Sequence, residues 1–163
     1  MQSFKDSKGN IWTVEINVGA IKRVRAICGI NILDVITVTD DGKPNTELLD
    51  RISEDPVLLV DTLYAVCMPE VEKRGMTDEE FGMSFDGDSL VAASHALLDG
   101  IVDFFPEAKR RMFRKVLTAS RRFEEATNRY LAETLDSGKL DEALESQLQK
   151  LSESFTNAPE SAE

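Results

Sequence analysis

His95 is the only histidine of the chain, and Asp99 and Asp103 follow it at four-residue steps. On a helix that spacing puts an imidazole and two carboxylates on one stripe, where they could ligate a divalent metal or let a carboxylate orient a general base. The same residues form the polar line of an otherwise apolar segment, which is how a solvated helix edge reads. Asp99 and Asp103 also fall near the end of that segment, where a helix dipole disfavours anions, and Lys109 and Arg110 beyond Pro106 are the cations that could compensate. Asp86-Gly-Asp-Ser89 suggests calcium at first sight, but an EF-hand loop needs further alternating ligands, a sixth-position Gly and a twelfth-position Glu, and these are missing. A turn and helix N-cap explain it more simply. No Gly-rich phosphate loop, Gly-x-Ser-x-Gly or paired Cys-x-x-Cys is present. The spacing therefore favours a protein that is not an enzyme and carries no metal or cofactor, and a hydrolase built on His95, Asp99 and Asp103 is an alternative.

Cys28 and Cys67 each lie in an apolar helical stretch, as small buried hydrophobes do, and not at the spacing of a metal pair. Lys109-Arg-Arg-Met-Phe-Arg-Lys115, with Arg121 and Arg122 beyond it, interleaves basic and aromatic groups as single-stranded nucleic-acid sites do. Against that reading stands a formal charge of −11. The charge is segregated, with 9 basic and 19 acidic side chains over residues 1–104, 8 and 3 over 105–129, and 2 and 8 over 130–163. A basic helix bracketed by acid is explained by charge matching within the chain, so neither nucleic acid nor a membrane is an expected partner. With no run of 18 apolar residues and no signal-peptide pattern at Met1-Gln-Ser-Phe-Lys5, the expected location is the cytoplasm.

These residues need elements to position them. Asp6–Asn10 reads as a loop between Phe4 and the strand-forming 11–16, giving a hairpin with Trp12 partly buried beneath it. Asn17 caps a helix whose apolar face is Val18, Ile21, Val24, Ile27 and Cys28, closed by Gly29. Val35–Thr39 reads as a strand, and 40–44 as a turn. Asp55-Pro56 opens a nearly all-apolar helix over 57–68, which Pro69 ends or restarts. Thr77-Asp-Glu-Glu80 is a capping box, and Leu90–Phe104 is a second core helix. Met112, Val116, Ala119, Phe123, Ala126 and Tyr130 form the seam of a long helix from about 107 to 135, and Leu140, Leu144, Leu148, Leu151 and Phe155 the stripe of another. The expected fold is mainly α with a small N-terminal β element: a helical core over 1–106, an amphipathic helical hairpin over 107–155, and a disordered tail over 156–163.

The Phe4-x-Asp…Gly9-Asn-Ile-Trp-Thr-Val hairpin, the Arg25-Ala-Ile-Cys-Gly-Ile-Asn-Ile stretch, the Asp55-Pro-Val-Leu-Leu-Val-Asp-Thr-Leu-Tyr-Ala helix and Met76-Thr-Asp-Glu-Glu-Phe before the 90–104 helix together resemble the tail assembly chaperones of long-tailed bacteriophages. The resemblance covers residues 4–118 and lies in element order and texture. It implies a small, acidic, non-enzymatic protein of the host cytoplasm that binds the tape measure protein before the tail tube polymerises, with the tail tube protein as a second candidate partner and self-association left open. A structural adaptor retained in the virion is the main alternative. Phe104, Phe105, Met112, Phe113, Arg114, Arg121 and Phe123 concentrate adaptable apolar groups beside the basic cluster and form the expected partner surface.

Overall fold

The computed structural model describes residues 1–156, with side chains throughout except at 139, 140 and 151–156. In order, the elements are β1 (Gln2–Lys5), β2 (Ile11–Val14), α1 (Val18–Cys28), a 3₁₀ turn (Ile32–Asp34), β3 (Thr37–Val38), β4 (Pro44–Asn45), α2 (Glu47–Glu54), α3 (Pro56–Lys73), α4 (Asp78–Gly82), α5 (Gly87–Phe104), α6 (Glu107–Asp136) and α7 (Lys139–Thr156). The fold is mainly α with a small N-terminal β element. The expected tail lies outside the described residues except for Thr156, which ends α7. Two compact units divide the chain, Met1–Leu117 and Thr118–Glu163. The division falls inside α6 and not at Pro106, because Phe113 and Leu117 are buried with the first unit's core.

β1 and β2 pair antiparallel with Phe4 opposite Trp12. Both side chains point inward, and Trp12 is fully buried where the hairpin meets the helices, not partly as expected. Its Nε1 donates to the Asp6 carboxylate at 2.9 Å, Phe81 meets its ring edge-on at 4.9 Å between centroids, and the Arg74 guanidinium lies 4.1 Å from its centroid. Asp6, itself 4% exposed, also accepts from the backbone N–H groups of Lys8 and Asn10 and from Asn10 Nδ2. Burial pushes its carboxyl pKa up, but the four donors outweigh that and hold it below the ordinary Asp value. One carboxylate thus closes the hairpin loop and satisfies the buried indole.

The outer edge of β2 is covered by α3. Thr13 N–H donates to Glu70 Oε2 at 3.1 Å, Arg74 donates to Ile11 O at 2.6 Å, and the Cys67 thiol lies 3.6 Å from Thr13 O. α5 packs on β1, and Gly100 lets it come close to the end of β2, since a Cβ there would stand 3.1 Å from Val14 Cγ1 and 3.3 Å from Ile16 Cγ1.

α3 carries the central core, capped by Asp55, whose Oδ1 accepts from Val57 N and Leu58 N, with Pro56 in the first turn. It runs unbroken through Pro69 to Lys73, where an end or a restart was expected. Proline lacks the N–H that would bond the carbonyl four residues back, so Ala65 O is left without its helical donor. Arg23 of α1 replaces it, donating from Nε to Ala65 O at 2.7 Å and from Nη2 to Val66 O at 3.1 Å. Replacing Arg23 by Met keeps much of the side-chain length and removes both donors. The expected loss is about 1–3 kcal/mol in urea unfolding, and an unchanged midpoint would mean water serves those carbonyls equally well.

α1 docks on α3 through Ala20, Ile21 and Val24, with Cys28 half-buried. Val18 and Ile27 of the expected face are exposed. The contact follows the Ala20–Val24–Cys28 row, where the small Ala20 permits close approach. The expected Val35–Thr39 strand shrinks to Thr37–Val38, paired with Pro44–Asn45. Pro44 is tolerated opposite Val38 because that pair is a non-hydrogen-bonded one. The ribbon closes beyond it through Thr39 N–H to Lys43 O at 2.9 Å and turns at Gly42. Val35 and Ile36 are buried as core residues instead.

Candidate interaction surface

α5 starts at Asp86, whose carboxylate accepts from Ser89 N–H at 2.9 Å while Ser89 Oγ accepts from Asp86 N–H at 2.8 Å. The Asp-Gly-Asp-Ser motif is therefore a capping box. His95, Asp99 and Asp103 are all half-buried on α5. Asp103 accepts from Gln2 Nε2 at 3.1 Å and from Arg114 in an ion pair. Burial raises its pKa, while the Arg114 and Gln2 hydrogen bonds and the positive charges of Arg114 and Arg110 bring it below the ordinary value. Among the described residues no three His, Cys, Asp or Glu side chains are placed to hold a metal ion. The three residues share a helix stripe without forming a ligand set.

Neither cysteine is poised as a nucleophile. Burial, with the negative charge of Glu70 added, pushes the Cys67 thiol up to about 12. Burial also raises Cys28, against a hydrogen bond from Thr62.

The basic run at the start of α6 turns back on α5. Arg110 donates twice to Phe105 O, at 3.2 Å from Nε and 3.0 Å from Nη2, Lys109 Nζ lies 5.7 Å from the Phe105 ring centroid, and Arg114 pairs with Asp103. These cations complement the C-terminal end of α5, in the way the dipole argument requires. The compensation for Asp103 comes chiefly from Arg114, with Arg110 adding a weaker attraction.

The seven residues expected to form a partner surface separate. Phe105 and Phe113 are 8% and 3% exposed and pack edge to face at 4.9 Å, so they are core residues and offer no surface. Phe104 and Met112 are partly exposed in the first unit, Arg114 is exposed, and Arg121 is half-buried in the second. Phe123, 76% exposed, belongs to the second unit. There it has company that the seven omitted. Tyr130, Leu131 and Leu135 on α6 are exposed, as are Leu144 and Leu148 on α7. Tyr130, Leu144 and Leu148 were visible on the helical stripes, and what the stripes alone did not tell is that α7 leaves them uncovered. α6 passes to α7 through Ser137 and Gly138, with Gly138 at φ 68°, a conformation that favours glycine. Arg122 and Arg129, both exposed, flank Phe123 and Tyr130.

The second unit therefore presents exposed apolar side chains on α6, with Arg122 and Arg129 along one flank of Phe123 and Tyr130, and an acidic amphipathic helix in α7. Such a surface can hold a helix. No family model, curated protein or solved structure matches this chain.

Proposed function

We propose that the chain is a non-enzymatic tail assembly chaperone of a long-tailed phage, acting in the host cytoplasm by binding the tape measure protein before the tail tube polymerises. The observation that carries this reading is the exposed apolar stripe of the second unit, Phe123, Tyr130, Leu131 and Leu135 on α6 with Leu144 and Leu148 on α7. Large apolar side chains left in water on helices mark binding surface, and a long helical client is the partner whose shape they fit. The resemblance over residues 4–118 supplies the identity of that client. A net charge of −11 keeps such a complex from associating indiscriminately.

The test is binding of amphipathic helical segments of a tape measure protein to the full chain and to Phe123→Ala/Leu131→Ala. Both positions are exposed, so circular dichroism should report an unchanged fold while affinity falls roughly tenfold or more. Equal affinity in the variant removes the stripe as the client site. Recovery of the protein in purified virions would favour a retained adaptor over a chaperone.

A further inference from the structure

The structure also carries an occupant for this stripe. α7 leaves Leu144 and Leu148 exposed within its own chain, and α6 leaves Phe123 and Tyr130 exposed. The charges beside the two stripes are opposite. At about 100° per residue, Arg122 and Arg129 lie along one flank of the Phe123–Tyr130 line. By the same geometry Asp141 and Glu145 lie along one flank of the Leu144–Leu148 line. All four charged side chains are exposed.

We infer that a second copy of this chain covers the stripe: α7 of each copy lies along the Phe123–Tyr130 line of the other, with Arg122 and Arg129 set against Asp141 and Glu145. The chain carries both complementary halves, so each copy brings its partner's occupant at equal concentration. The four large side chains on these two lines, Phe123, Tyr130, Leu144 and Leu148, are exposed by half or more and offer on the order of 450 Å² of apolar surface per copy. Reciprocal seating then buries about 900 Å² of it in total, to which the charged flanks add, at the low end of specific interfaces. Pairing is self-complementary, so it closes at two copies and does not propagate. The stripe is the one proposed for the client, but the dimer stands on charge matching and exposure alone. A client would have to displace the second copy's α7.

The test is sedimentation equilibrium of the full chain with no client present, so that its outcome is read apart from client binding. A dimer is expected at micromolar concentration, and a monomer at 100 µM, roughly the weakest range of a specific interface, would overturn the proposal. Arg122→Glu/Arg129→Glu and Asp141→Lys/Glu145→Lys should each weaken the dimer about tenfold or more. Mixing the two variants should restore it as a heterodimer, which a helix folded back on its own chain would not do. Reversals that leave the dimer unchanged, or a mixture no tighter than either variant alone, would also overturn it. Leu144→Ser/Leu148→Ser should abolish the dimer independently of charge, and persistence of the dimer in that variant would count against α7 as the occupant.

Discussion

Trp12→Ala should destabilise the first unit by about 3–5 kcal/mol, toward the upper end of that range for a large core aromatic. The indole is fully buried, and its removal opens a cavity against Phe81. It also strips Arg74 of the ring it stacks on and Asp6 of its buried donor. Because this is the only tryptophan, its fluorescence vanishes in the variant, and the comparison should be made by far-ultraviolet circular dichroism during urea unfolding. A loss below about 0.5 kcal/mol, the size of an ordinary surface change, would contradict the burial of Trp12.

Asp6→Ala is the second large effect, about 3 kcal/mol, because four donors lose one acceptor and the Trp12 N–H is left buried without a partner. Asp6→Asn keeps one acceptor oxygen and should cost less. The carboxyl pKa is lower in the folded protein than in the unfolded chain, so the unfolded state binds the extra proton first. The stabilisation is complete above the ordinary Asp value and is lost as pH falls through the depressed one. Acid unfolding followed from pH 7 downward should show the native protein losing stability below the ordinary Asp range, and the Asp6→Asn variant showing a smaller dependence there. Equal pH dependence in the two proteins would mean that Asp6 titrates no differently on folding.

What the sequence made legible was local. Asn17, Thr77 with Glu80, and Asp86 with Ser89 announced helix starts because a cap involves only residues a turn apart. The hairpin was legible for the same reason. Whether α3 ends, restarts or runs on at Pro69 was not, because the donors that replace the missing N–H come from Arg23 on another helix. The partner surface was half legible. On α6 the line through Met112, Phe123 and Tyr130 runs beside a second apolar line through Phe113, Leu117, Leu131 and Leu135, and periodicity counts both as candidates for burial. Which stretch is taken into the core depends on the neighbouring Phe105, whose ring meets Phe113. Beyond Leu117 both lines emerge into solvent, and that change of environment along one continuous helix leaves no mark in its spacing.

The side chains of α3 along β2 have a consequence for how this chain behaves in a crowded solution. A two-stranded ribbon ordinarily offers two bare rims, each able to recruit a foreign strand and seed a growing sheet. Here Glu70, Arg74 and Cys67 occupy backbone groups of Thr13 and Ile11 that such a strand would need. An incoming chain would first have to break the grip of α3, and with it the Arg74 stack over Trp12. Sheet growth on that side is thereby coupled to loss of the core, so the native protein is protected from templated polymerisation there for as long as α3 stays folded.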